Sequence, residues 1–395
     1  MYLLQNRLIV CDYSSPLFDR YFQIITGRLQ PKHKKSELST FIPLKTIKME
    51  TVTATKKQVD PSNIMQIGMG FWASKTLLTA VNFGVFTLLA NGELSGQDIK
   101  TKLGLHQRGL YDFLDALVAL NFLNRTGIKE TSSYSNTEDS AFFLDKNKPS
   151  YMGGLLEMAN NRLYPFWNDL EEGLKTGLPQ NESKTGDKSL FEAIYSDEAK
   201  VREFVNAMAG VSMGNFMSLS KKFEFSPYKT LCDIGGSGGH LCAQIALNND
   251  HMNCLSFDLP AVAPVAQENI NTMGLNEKVK IISGDFFTDD FPKADVITMG
   301  MILHDWGVDD KKILIKKAYN ALPNGGALIV VENIIDDKRS ENAFGLLMSL
   351  NMLIETVEGS DFTASDFNEL AKEAGFTKMD IMSLTGPSSA VIAIK

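Results

Sequence analysis

The sequence predicts an α/β protein: a mostly parallel, doubly wound sheet preceded by a smaller helical domain of winged-helix pattern. Three observations carry this. From Lys229 onward, short continuous apolar runs alternate with helical stretches, as in a parallel sheet covered on both faces. Most of those runs end at or beside a chemically distinctive residue: Asp233, Asp258, Asp285, His304 or Glu332. Residues 62–145 instead show apolar residues at helical spacing, followed by a polar stretch centred on Gly127.

The elements follow in order. Residues 1–61 are expected to be a tail: the first 48 mix basic and aromatic residues without periodicity, and Met49 offers a second start. No compact apolar segment marks a secretory signal, and Asp12, Asp19 and Glu37 count against a transit peptide. A disordered tail and a start placed upstream of the native one both remain open. Residues 62–150 form the small domain. Phe71, Leu77, Leu78, Val81, Val85, Leu88 and Leu89 are helically spaced, and Ser95 to Asp98 reads as a capping box opening a helix over 98–103. Leu110, Phe113, Leu114, Leu117, Val118 and Phe122 share one face of a helix over 110–122, and residues 124–143 suit a β-wing. Residues 151–395 form the larger domain and begin with a helical segment over 151–225. Strands are expected at 230–234, 253–257, 279–283, 294–299 and 327–331, with an antiparallel edge strand at 390–394 and a helix at 309–322.

Composition narrows the function. The 395 residues carry a net charge of −8, which disfavours nucleic-acid binding because affinity there comes from neutralising phosphates. A winged helix often reads DNA, but residues 107–110 hold one Arg, so packing against a second chain is the better use of this apolar surface. No run approaches the ~20 apolar residues of a membrane helix. Cys11, Cys232, Cys242 and Cys254 form no CxxC pair, which fits reduced core residues in a cytoplasmic protein, and the five histidines lack metal-ligand spacing, so no metal is expected.

In doubly wound sheets ligands bind at the carboxyl ends of the strands. Gly235-Gly-Ser-Gly-Gly239 follows the first strand, where glycines permit a tight turn and close backbone approach. Asp258 follows the second, where an acid can hold both hydroxyls of a ribose, and Asp285 with Phe286 follows the third, where they can bracket an adenine. The dinucleotide pattern GxGxxG is broken at Leu241, and no GK[ST] follows. The bland alternatives are a tight turn without ligand for the glycines, a helix cap for Asp258 and a capping or solvent-facing role for His304.

The ordered motifs Asp233-Ile-Gly-Gly-Ser-Gly-Gly239, Phe257-Asp-Leu-Pro260, Gly284-Asp-Phe-Phe287 and Leu303-His-Asp-Trp306 resemble those of the plant-type and hydroxyindole O-methyltransferases. The later runs Ser349–Leu353, Glu358–Thr363 and Ala374-Gly-Phe376 resemble the acetylserotonin branch in particular. The resemblance spans about residues 62–395 and is specific to the family, not to a substrate. It implies a class I, Rossmann-like methyltransferase domain with an N-terminal winged-helix dimerisation domain, hence a homodimer. S-adenosyl-L-methionine would be the cofactor and S-adenosyl-L-homocysteine its product, held by Asp233, Gly235, Gly236, Gly239, Asp258, Leu259, Gly284, Asp285, Phe286 and Tyr164. His304 would be the general base, flanked by Glu332 and Asp361. Asp305 is expected to hold the local turn, and Trp306 to pack. Three positions depart from the family pattern: Asp361 stands where plant members carry Glu, Gly300 where they carry a cofactor-facing Lys, and Ser237-Gly238 differs mildly from the usual loop.

The chemistry suits these types. Methyl transfer from a sulfonium is an in-line displacement, so alignment supplies much of the rate. A phenol attacks once its proton leaves, and a histidine oriented by a carboxylate can take it. A small, hydroxylated, aromatic acceptor is expected in a pocket built from Met158, Phe166, Phe191, Met208, Met348, Asn351 and Met352, although Met348 and Met352 equally suit plain core. The competing readings are a cofactor-binding family member with a lost or altered reaction, a ligand-sensing winged-helix regulator, and a nicotinamide dehydrogenase, which the broken GxGxxG disfavours.

Overall fold

The computed structural model describes residues 59–148, 150–185, 195 and 197–395. By its internal contacts the chain divides after Lys75 into two compact units. The described part of the first holds α1 (Ser62–Gly68), none of whose residues is buried, and the start of α2 (Gly70–Asn82), where Phe71 meets Trp72 edge-on at 6.0 Å.

The second unit begins with the small helical module. It comprises the end of α2, α3 (Val85–Leu88), β1 (Leu94–Ser95), α4 (Gly96–Leu103), α5 (Gln107–Ala119), β2 (Leu123–Thr126), β3 (Ser133–Asn136) and α6 (Glu138–Phe143). The expected helix at 98 starts two residues earlier, with the Ser95 hydroxyl accepting the Asp98 N–H at 3.1 Å. The expected wing is shorter than 124–143. Thr137 caps a helix, α6, where the second half of the wing was placed, because its hydroxyl accepts the Ser140 N–H and ends the extended run. The strands form an antiparallel sheet in the order β1-β3-β2. Phe86, Ile99, Leu110, Leu114, Leu117 and Tyr134 fill the core, and the Tyr134 hydroxyl donates to Asp115 at 2.8 Å.

The helical segment that follows is α7 (Gly153–Met158), a π turn (Ala159–Leu163), α8 (Tyr164–Trp167), α9 (Leu170–Thr176) and the long α10 (Glu198–Lys222). Helix α7 lies close against α10: a Cβ on Gly154 would be 3.8 Å from the Ala207 Cα. The sheet domain is then β4 (Thr230–Ile234), α11 (His240–Asn248), β5 (Asn253–Asp258), α12 (Ala263–Thr272), β6 (Val279–Ser283), β7 (Val296–Gly300), α13 (Val308–Ala321), β8 (Ala327–Glu332), α14 (Ala343–Glu355), α15 (Ala364–Ala374), β9 (Lys378–Ser383) and β10 (Ser389–Ile394).

The seven strands run in the order β6-β5-β4-β7-β8-β10-β9. The first five are mutually parallel, and β10 is antiparallel to both of its neighbours. The expected edge strand at 390–394 is therefore interior, with β9 outside it. Alternate residues face two cores: Cys232, Ile234, Ile297 and Met299 on one side, Leu231, Cys254, Val296 and Ile329 on the other. Cys232, Cys242 and Cys254 are buried free thiols, as expected, and Cys11 lies outside the described residues. No helix among the described residues is long and apolar enough to cross a membrane.

Register decides what reaches the rim. Ile234 aligns with Phe257 and Met299, Phe257 with Ile282, and Gly300 with Val331. Gly235, Asp258, Ser283, Gly300 and Glu332 consequently end or follow their strands along one edge. The loop after β4 is pinned there, since the N–H groups of Gly235 and Gly236 both donate to the Phe257 carbonyl, at 2.8 and 3.2 Å. Gly235 has φ +70°, and a Cβ on Gly236 would stand 2.3 Å from the Ser256 Oγ. Overpacking of this kind costs about 1–3 kcal/mol. Gly236→Ala is expected to lower the melting temperature, and Ser256→Ala in the same chain to restore most of the loss, as differential scanning calorimetry of the three variants will read.

Candidate active site

The loop's conformation is fixed by an acid. Asp258 accepts the Ser237 N–H on Oδ2 and its neighbour Leu259's N–H on Oδ1, each at 2.7 Å. These bonds hold Ser237 at φ 47°, a left-handed conformation for a residue with a side chain. Burial pushes the Asp258 carboxyl up to about 6, against the pull of those two N–H groups. Asp233 lies deeper, 4% exposed, and accepts the Thr298 hydroxyl at 2.7 Å. Burial raises it to about 7. Among the residues expected at the cofactor, Asp233 thus ties β4 to β7 beneath the loop.

At the end of β6, Gly284 packs under the Phe257 ring, where a Cβ would approach to 2.5 Å. Asp285 is half-buried and accepts the Phe287 N–H at 2.8 Å. Phe286 and Phe287 meet Trp306 edge-on at 5.8 and 4.6 Å, so Trp306 packs as expected, against the core beneath this end of the sheet. Lys317 braces the turn, its Nζ donating to the carbonyls of Phe286, Phe287 and Asp289. Gly300 faces Phe216, with room for a Cβ at 3.6 Å.

The polar centre lies on the next two strands. Met301 continues β7 by donating to the Val331 carbonyl at 3.0 Å, then takes φ +55° and leads into a 3₁₀ turn over Leu303–Asp305. Glu332 shapes that turn: its Oε1 accepts the N–H groups of Ile302 and His304 at 3.1 and 3.4 Å. Its Oε2 stands 3.4 Å from His304 Nδ1, and Asp361 Oδ1 stands 3.5 Å from the same nitrogen. The three side chains are at most 5% exposed. The structure brings together all three residues expected at the catalytic centre. Their donor atoms lie within 4.8 Å of one another, a set that either a divalent cation or an Nδ1–H shared between two carboxylates satisfies.

Asp305 was expected only to hold the turn. Its N–H does so, to the Ile302 carbonyl, but its carboxylate also lies 3.4 Å from His304 Nε2. Burial raises Asp305 to about 6. For His304, burial opposes the charged form, but Glu332, Asp305 and Asp361 outweigh it and lift the imidazole to about 10. Glu332 is itself raised, by burial first. Lys311, 2% exposed, donates to the Ser360 carbonyl at 2.7 Å and adds the second positive charge.

Tyr195 was not singled out by the sequence. Burial raises its phenol, with Asp258 and Asp305 adding to the shift, and its ring meets Phe204 edge-on at 6.2 Å. The remaining expected residues lie in the helical segment and α14. Tyr164 opens α8 and is half-buried, as are Met158, Phe166, Met208, Met348 and Asn351; Met352 is 6% exposed. Phe191 lies outside the described residues. Trp167 Nε1 donates to Asn351 at 2.8 Å and joins α8 to α14. A further pair, Arg162 and Glu355, lies beside these residues and gave no signal in the sequence.

Comparison with known proteins gives this geometry its context. Residues 167–377 match the O-methyltransferase domain, and residues 65–146 the O-methyltransferase dimerisation domain. The chain is 37% identical to the tetracenomycin polyketide synthesis 8-O-methyl transferase TcmO of Streptomyces glaucescens, over 85% of this chain and 97% of that one. It is 30% identical to the N,N-dimethyltransferase OxyT of Streptomyces rimosus, over 82% and 93%. Human N-acetylserotonin methyltransferase, solved in complex with S-adenosylmethionine, superimposes with a TM-score of 0.79 at 28% identity, covering 86% of this chain and 99% of that one. The chain belongs to the O-methyltransferase family and is an S-adenosylmethionine-dependent O-methyltransferase.

Proposed function

We propose that the chain methylates a hydroxyl of a small aromatic acceptor, with His304 as general base. The observation that carries this is the imidazole at the carboxyl end of β7, with Nδ1 facing Glu332 and Asp361. S-adenosylmethionine supplies a methyl on a sulfonium, open to in-line displacement by an oxygen. The pinned loop at Gly235, Gly236 and Gly239, with the carboxyl of Asp258 and the N–H of Leu259 behind it, fits the methionine and ribose portions. Gly284, Asp285 and Phe286 fit the adenine, and Tyr164 at the start of α8 is assigned to the cofactor by the family resemblance.

His304 takes the acceptor proton on Nε2, while Glu332 and Asp361 hold Nδ1 and stabilise the imidazolium that forms. A base near 10 is matched to a phenol, whose ordinary value is also about 10. Proton transfer between them is then nearly isoenergetic, at the cost of a small base fraction at neutral pH. The likeness to polyketide and acetylserotonin enzymes supports an aromatic acceptor, whereas OxyT, named for amine methylation, favours an N-acceptor as the second reading. The dimerisation-domain match supports a homodimer.

Four outcomes are expected. His304→Ala loses about 10²–10⁴-fold in turnover of labelled methyl into 2-naphthol, with S-adenosylhomocysteine affinity by calorimetry unchanged; equal turnover removes His304 from the base role. For the wild type, kcat/KM rises with pH from 7 toward 10, because the protonated imidazole cannot accept a proton. Glu332→Gln removes the carboxylate that favours protonation most, so its rising limb shifts to lower pH; a limb that stays in place contradicts this coupling. Light scattering at micromolar concentration gives twice the chain mass, and a monomer overturns the dimer.

A further inference from the structure

One buried charge near the acceptor side has no part in the chemistry above. Glu355 ends α14 and is 4% exposed. Its Oε2 accepts from Arg162 Nη1, and its Oε1 has no hydrogen-bond partner among the described residues. Arg162 comes from the π turn between Met158 and Phe166, and it stands 5.2 Å over the Phe166 ring. Its Nε and Nη2 donate to the two oxygens of Glu182 at 2.8 and 2.7 Å. One guanidinium therefore serves two carboxylates; Oε1 of the buried one has no partner at hydrogen-bond geometry among the described residues, although the Asn181 amide lies close enough to favour the charged form.

Position connects this pair to the acceptor. Met348, Asn351, Met352 and Glu355 are spaced i, i+3, i+4 and i+7, so they share a face of α14. Asn351 on that face is bonded to Trp167 of α8. The loop that follows the helix abuts the histidine turn: the Gly359 N–H donates to the Thr356 hydroxyl at 2.8 Å, and a Cβ on Gly359 would stand 2.7 Å from the His304 carbonyl. Glu355 thus lies on the expected acceptor face, at the end nearest the base. The main chain beside it is closed off, since Gln180 N–H donates to the Ile354 carbonyl and Asn181 Nδ2 to the Glu355 carbonyl, each at 2.8 Å. An unpaired buried oxygen held this firmly is costly, and a bound donor removes the cost.

We propose that Glu355 selects acceptors carrying a second hydrogen-bond donor, a hydroxyl or N–H remote from the oxygen that is methylated, with Arg162 and Glu182 positioning its carboxylate. The proposal rests on the O-methyltransferase reading above and names the acceptor class within it. A ligand with a donor at that point gains a charge-assisted hydrogen bond; one with bare carbon leaves Oε1 unpaired.

The test uses the full chain with 2-naphthol and the 1,6-, 2,6- and 2,7-dihydroxynaphthalenes, measuring kcat and KM for labelled-methyl transfer. The expected result is a preference in kcat/KM of about tenfold or more for at least one diol, well beyond the statistical factor of two and mainly in KM. In the paired variant Arg162→Leu/Glu355→Leu, which removes the buried carboxylate together with its half-buried partner, the preference falls to the statistical factor. Its melting temperature and S-adenosylhomocysteine affinity report whether the fold is intact. Glu355→Gln, which keeps a carbonyl acceptor, retains part of the preference, an outcome that a purely structural tie does not produce. Equal use of mono- and dihydroxy probes by the wild type, or an unchanged preference in an intact paired variant, overturns the assignment and leaves the methyltransferase reading standing. Failure to methylate any of the four probes while S-adenosylhomocysteine binds counts against the reading itself, and the assignment falls with it.

Discussion

Glu332 is the interaction on which the catalytic rim depends. It ends β8 inside the sheet, 1% exposed, where an ionised carboxylate survives only if paired. One oxygen accepts the two N–H groups that shape the 3₁₀ turn; the other faces the imidazole carried on that turn. Backbone geometry and side-chain protonation are thus set by the same group. Three carboxylates meet one imidazole within 3.5 Å, and Lys311 supplies the nearby balancing charge. The histidine is buried and still strongly basic because the acids around it more than offset its desolvation.

The cofactor side is built on a different constraint. The glycines after β4 are required by the protein's own packing, as the approach of Ser256 to Gly236 and of Ile302 to Gly235 demonstrates. Ser237 holds its positive φ because Asp258 captures its N–H. A Gly-rich turn is therefore ambiguous by itself: the same residues serve a close strand–loop contact with or without a ligand. The acid at the end of the neighbouring strand is part of the same packing, since both of its oxygens accept backbone N–H groups, and the family match is what separates the two.

Much of this was legible in the sequence because it is local or periodic. The strands at 230–234 and 279–283 match their apolar runs, and the motif residues fall at strand ends as the parallel order requires. Strand β9 was missed because its edge position leaves it a polar alternation, Lys378-Met-Asp-Ile-Met-Ser383, with no buried run to mark it. Helix α6 was hidden within the wing, since a six-residue helix started by one Thr cap has too little periodicity to read. Asp305 was assigned to the turn on its chain position alone; its distance to Nε2 follows from the 3₁₀ geometry. Arg162 and Glu355 are 193 residues apart, and a pairing of that kind leaves no local trace.

The same division explains why the motifs identify a reaction class before a substrate. The sheet rim carries the motif residues, and several of them are tied to one another by backbone bonds at the strand ends. The residues proposed for the acceptor come from α7, the π turn, α8 and α14, and two of the ties among these elements run through side chains: Trp167 to Asn351 and Arg162 to Glu355. A well-packed apolar replacement for such a buried pair is often neutral or stabilising, so its ion pairing is weak grounds for a purely structural role. A glutamate held by an arginine shared with a second glutamate, with one buried oxygen that has no partner among the described residues, makes more sense as a preorganised acceptor of hydrogen bonds, in keeping with the proposed role of Glu355.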